Sequence, residues 1–103
     1  MAPLTKHQVF EIIGHLEPEI RVLGVSRLAV FGSVARGEAS PDSDIDILVQ
    51  FLPGSKTFER FLALSDLLEA NLGRRIELVT TEALSPFIGS HILAEAQDVI
   101  RAA

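Results

Sequence analysis

The 103-residue chain contains no cysteine, which removes disulfide frameworks, thiolate metal sites and cysteine nucleophiles together. It is also short of positive charge: nine Lys and Arg stand against fourteen Asp and Glu, for a formal net charge of −5. Sequence-independent nucleic-acid binding and polybasic membrane anchoring both need clustered cations, so neither is expected. No apolar run approaches the roughly 18 residues of a membrane span. The opening Met1-Ala2-Pro3-Leu4-Thr5-Lys6-His7-Gln8 lacks the basic-then-apolar order of a secretory signal, and the expected location is cytoplasmic. Two familiar phosphate cradles are missing as well, since neither Gly-x4-Gly-Lys-Ser/Thr nor Gly-x-Gly-x-x-Gly occurs.

What is present is an ordinary globular composition, 48% hydrophobic and 22% charged, unlike that of disordered chains. This length supports one core and one domain, residues 1–103. The spacing of Thr5 and Gln8 predicts a capping box, followed by Val9, Ile12, Ile13 and Leu16 at helical intervals. Pro18 and Gly24 bracket a second short helix over 17–23. Residues 27–31 read as a buried strand ending at Gly32, and residues 44–51 alternate as a second strand. A broad apolar stripe over 57–71 predicts a helix closed by Gly73, and residues 76–80 a third strand. From Ser85-Pro86 a final helix is expected, carrying Ile88, Ile92, Leu93, Ala96, Val99 and Ile100 at intervals of three or four. Mixed in this order, the elements imply an α/β (α+β) domain, one small sheet with helices over a face. The apolar stripes of the first and last helices are assigned to the core.

Four of the fourteen acids, Glu38, Asp42, Asp44 and Asp46, fall within nine residues. Asp44 and Asp46 stand two apart on a predicted strand, so their carboxylates project from one face. Two carboxylates that close either share a proton or share a cation, and oxygen ligands on a rigid strand suit Mg²⁺ or Mn²⁺. A solvated polar strand face is the plainer alternative. An EF-hand loop starting at Asp42 fails, because Ile47 replaces the required glycine and Pro53 the terminal glutamate. Upstream, Phe31-Gly32-Ser33 leads a strand into a turn, where Gly32 would let a phosphate approach the backbone and Ser33 offers a hydroxyl and an amide. Arg36 can contact phosphate or remain a solvated or ion-paired surface residue. Arg74 and Arg75 are expected to cap a helix end, Ser43 to brace a turn, and Glu38 and Asp42 to be turn residues. His7, His15 and His91 have no mutual ligand spacing, and His91 and Glu95, four apart, read as a surface pair.

Gly32-Ser33-Val34-Ala35-Arg36-Gly37 followed by Ser43-Asp44-Ile45-Asp46 resembles the signature of the DNA-polymerase-β-like nucleotidyltransferases, and within them the minimal nucleotidyltransferases (MNT). Residues 24–28, 72–79 and 92–96 extend the likeness over nearly the whole chain. The resemblance implies the polymerase-β-like fold, with a mixed sheet and helices mainly on one face. It implies a third carboxylate at Glu77, where Asp is the more familiar residue of the family. The activity implied is nucleotidyl transfer from an NTP, ATP first, with Gly32, Ser33 and Arg36 on the phosphates. Asp44, Asp46 and Glu77 would be both catalytic and metal ligands for two Mg²⁺ ions, with Mn²⁺ as the alternative metal. It further implies a HEPN-domain toxin as partner, a toxin tyrosine as acceptor of AMP, and an antitoxin role within a homo- or hetero-oligomer. A domain this small leaves selectivity to a partner or a second copy. The competing expectation is a non-catalytic module that neutralises its partner by complex formation, with Glu77 marking lost chemistry.

Overall fold

The computed structural model describes residues 4–101. Thr5 caps α1 (Lys6–His15) reciprocally: its Oγ1 accepts the Gln8 N–H at 3.1 Å, and its own N–H donates to Gln8 Oε1 at 2.9 Å. Pro18 lies in the first turn of α2 (Glu17–Val22), where a missing N–H costs no helical bond. Gly24, at φ +87°, then turns the chain into β1 (Val25–Phe31). The strand runs straight into α3 (Gly32–Ala35), and a turn region leads to β2 (Ile45–Phe51). Thr57 caps α4 (Phe58–Leu72) by accepting the Arg60 N–H at 3.1 Å, and Gly73 closes it in the left-handed conformation. β3 (Ile76–Thr80), a 3-10 turn (Thr81–Ala83), α5 (Pro86–Glu95) and β4 (Gln97–Ile100) complete the order.

The strands lie in the order β3-β2-β1-β4. β1 is antiparallel to β2 and β4, and β2 is parallel to β3 across the α4 crossover, which gives the mixed sheet expected. Register divides the sheet into two faces. Leu28 and Val30 lie beside Val49 and Ile47 and meet Val9 and Ile13 of α1, Ile20 of α2, and Leu64, Leu68 and Leu72 of α4. That is the core, built by helices packed on one face. The opposite face carries the cross-strand pairs Ala29–Leu48 and Phe31–Asp46, and then Asp46–Glu77. Because side chains alternate at period two, apolar residues at 45, 47 and 49 fix residue 46 on the face away from the core.

Two expectations need correction. The final helix does not continue to Ile100: it ends at Glu95, and Gln97–Ile100 form a fourth strand on β1. Val99 and Ile100 satisfy helical spacing, but β1 would otherwise leave backbone groups unpaired along its outer edge, and β4 takes them up. Arg27 Nε donates to Asp98 Oδ1 at 2.7 Å and pins the register. Nor is the apolar stripe of α5 in the core. Gly89 is its buried residue, while Phe87, Ile88 and Leu93 are 85%, 61% and 48% exposed. The α4 stripe is likewise narrower than its sequence suggests, with Phe58 and Leu62 exposed. No described helix is long and apolar enough to cross a membrane.

Candidate active site

Asp46 and Glu77 are direct partners across the parallel β2–β3 pair, so their carboxyl groups share one face of the sheet. Asp44 falls one residue before β2, where the Ile45 N–H donates to the Arg75 carbonyl at 2.9 Å and clips the strand entry to β3. Asp44 and Asp46 are half-buried and Glu77 is exposed. The Asp46 carboxyl is pushed up to about 6, first by burial, then by its hydrogen bond with Glu77 and the charges of Glu77, Asp44 and Glu95. Among the described residues, no three His, Asp or Glu side chains are gathered closely enough as they stand to hold a metal ion. The donor set nevertheless fits a hard divalent cation. Its oxygens are all carboxylate, and Asp46 and Glu77 form a like-charged pair that a proton or a cation must relieve.

The pairing of Phe31 with Asp46 brings the next residue, Gly32, against the same carboxyl. Gly32 adopts φ +72°, and a Cβ there would overlap Asp46 Oδ2. Glycine is therefore required twice, once by the backbone and once by the acid packed on it. The close approach foreseen for a phosphate is made here by Asp46. Beyond Gly32 the turn is tight: Arg36 N–H reaches Gly32 O at 3.1 Å, and Glu38 N–H reaches Ser33 O at 2.8 Å. Ser33 is half-buried at the start of this turn. Ser43 braces the next one, its Oγ accepting the Ser40 N–H at 2.9 Å, and Asp42 lies in that turn.

Arg36 is exposed but tied on two sides. Its Nε donates to Glu38 Oε1 at 2.5 Å, and its Nη1 donates to Glu95 Oε1 at 2.8 Å. Glu38 first and Glu95 second raise the guanidinium above its ordinary value. The same Glu95 Oε1 accepts the Gly32 N–H. Glu95 is thus not the surface partner of His91 but a carboxylate inside the Gly32 turn. Helical spacing pointed to the neighbour four residues away, whereas the actual contacts lie 59 and 63 residues off. The one signal in sequence was that Glu95 sits in the tail that carries the family likeness. Arg74 Nη1 donates to the Gly73 carbonyl at 3.1 Å, which is the capping role expected of it. Beside Asp44 an open cleft of about 520 Å³ runs between Pro41, Asp42 and Ser43 on one side and Gly73, Arg74 and Arg75 on the other. Asp44 lines this cleft, whereas Asp46 and Glu77 do not.

Residues 8–99 match the family model described as nucleotidyltransferase domain. The protein adenylyltransferase MntA of Thermococcus cleftensis is 41% identical over 98 residues, which cover 92% of this chain and 96% of that protein. A solved structure of a minimal nucleotidyltransferase superposes with a TM-score of 0.81 at 35% identity, covering 91% of this chain and 95% of that one. A Shewanella oneidensis complex of a tri-AMPylated HEPN toxin with an MNT antitoxin shares the fold, with a TM-score of 0.64 at 16% identity over 90% of this chain and 73% of that one.

Proposed function

This chain belongs to the nucleotidyltransferase-domain family, and on that premise we propose that it moves AMP from ATP to a tyrosine hydroxyl of a HEPN-domain toxin, as its antitoxin. The observation that carries the reading is a juxtaposition: the Asp46–Glu77 pair stands against Gly32, where the Gly32-Ser33 turn begins. One end of the sheet thus offers carboxylates for cations and, beside them, amides and a hydroxyl for phosphates. Support comes from the T. cleftensis relative, named a protein adenylyltransferase, and from the S. oneidensis complex, whose toxin is AMPylated.

The acceptor hydroxyl attacks the α-phosphorus, the α–β phosphoanhydride breaks, and pyrophosphate leaves. Gly32 and Ser33 take the β- and γ-phosphates through backbone amides and the Ser33 hydroxyl, and Arg36 adds a cation. Asp44, Asp46 and Glu77 are the residues that would hold Mg²⁺, and ions bound there would shield the triphosphate and acidify the attacking hydroxyl. Without a cation the four carboxylates of Asp44, Asp46, Glu77 and Glu95 repel an NTP, so binding requires the metal. These 103 residues include no tyrosine, so the proposed tyrosine acceptor does not lie among them. The exposed apolar residues of α5, Phe87, Ile88 and Leu93, give a protein partner a surface to cover.

Neutralisation by complex formation without transfer is the second reading. One observation favours it: Glu95 already occupies the Gly32 N–H and Arg36. Isothermal titration with ATP tests the first. The wild type is expected to bind ATP with Mg²⁺ and not with EDTA, and Asp44→Ala/Asp46→Ala is expected to bind under neither condition. Equal binding by the two proteins would rule out the assigned site.

A further inference from the structure

Glu95 is the last residue of α5, and its carboxylate lies in the turn assigned above to the triphosphate. One oxygen, Oε1, takes both the N–H of Gly32 and, at 2.8 Å, Nη1 of Arg36. Arg36 is held from its other side by Glu38, so its guanidinium is fixed between two acids. A carboxylate oxygen and a phosphate oxygen present the same acceptor chemistry to an amide and a guanidinium. The position is electrostatically costly, because the Glu95 charge adds to those of Asp44 and Glu77 around Asp46. A side chain at a helix end with 31% exposure has water available to it. Its place in the acid-rich turn is explained by the two donors it satisfies there.

Resting on the nucleotidyl-transfer reading, we propose that Glu95 is an internal stand-in for the nucleotide's phosphate. It keeps the Gly32 turn formed and Arg36 aimed while the site is empty, and it yields both donors when a triphosphate enters. Two anions cannot share the same N–H and the same Nη1, so nucleotide and Glu95 compete. The apparent affinity for nucleotide is the intrinsic affinity multiplied by the fraction of molecules in which Glu95 has released the turn. Glu95 is therefore a positioning residue that sets how tightly the protein holds its substrate. Nucleotide binding must also release the C-terminal end of α5 from α3.

Titration calorimetry of wild type, Glu95→Gln and Asp44→Ala/Asp46→Ala with ATP and Mg²⁺ tests the competition by its sign. Glu95→Gln exchanges a charged acceptor for a neutral one, and is expected to bind ATP on the order of tenfold tighter than wild type. A residue needed only to brace the turn would give weaker binding instead. Equal or weaker binding by a folded Glu95→Gln, with wild type binding normally, overturns the stand-in role and leaves the nucleotidyl-transfer reading in place. Absence of ATP binding in both proteins overturns that reading, and the stand-in with it. A measurement on the wild type avoids dependence on the variant: the carboxyl ¹³C resonance of Glu95 is expected to move toward that of a solvated glutamate when ATP and Mg²⁺ are added. A resonance that stays fixed at saturating ATP contradicts the proposal.

Discussion

At Gly32 the backbone demands positive φ and the Asp46 carboxyl demands the absence of a side chain. Gly32→Ala is expected to cost about 1–2 kcal/mol from the left-handed backbone, with further loss as Asp46 is pushed aside. Urea unfolding should show a lower midpoint, and Mg²⁺-dependent ATP binding should disappear. Gly14, in α1 with open space around it, supplies the contrast: Gly14→Ala should stabilise by roughly 0.5 kcal/mol in the same assay. Asp46 makes a prediction about pH. Its folded-state value of about 6 lies above the ordinary 3.8, so the folded protein holds that proton more tightly than the unfolded chain does. The resulting stability is fully present below about 3.8 and is lost as pH rises through about 6. In EDTA, the unfolding free energy of Asp46→Asn relative to wild type should therefore increase between these pH values, the variant being the more stable at pH 7. Asp44, Asp46, Gly32 and Ser33 are legible in the sequence because their grouping is local. Glu95 is not, since only the folded chain brings residue 95 to residue 32.

At the level of elements, the caps show why some segments can be read from sequence. Thr5 with Gln8, and Thr57 with Gly73, mark their helix ends through contacts of four residues or fewer. Thr57→Ala should lower stability by about 1 kcal/mol, measured by thermal or urea unfolding. The C-terminal region resisted the same reading for a physical reason. Ala96, Val99 and Ile100 continue the helical period of α5, and nothing local reveals that β1 offers an edge to pair with. Its periodicity suggested a buried helix, yet α5 leaves Phe87 and Leu93 exposed. Exposed apolar side chains contribute little to the monomer's stability, so Phe87→Ser/Leu93→Ser should change the unfolding free energy by no more than about 0.5 kcal/mol. On the proposed function, the same variant should weaken binding to a HEPN-domain toxin, on the order of tenfold or more, in a surface-binding assay.

For the molecule as a whole, net acidity and small size take on specific meanings. Part of the charge excess is concentrated at one end of a mixed sheet, where Asp44, Glu77 and Glu95 lie around Asp46, and where Asp46 and Glu95 meet Gly32. The two faces of that sheet divide the work: helices α1, α2 and α4 build the core on one, and the acids occupy the other. On the proposed function, a site so acidic accepts a triphosphate only with a cation bound, and the acceptor is a tyrosine of the toxin. The most direct measurement is to incubate the protein with the proposed HEPN-domain partner, Mg²⁺ and ATP labelled at either the α- or the γ-phosphorus. Nucleotidyl transfer predicts that the α-label appears on the partner, the γ-label appears in pyrophosphate, and both signals vanish with Asp44→Ala/Asp46→Ala. A stable complex that acquires no α-label, or acquires the γ-label instead, would contradict it.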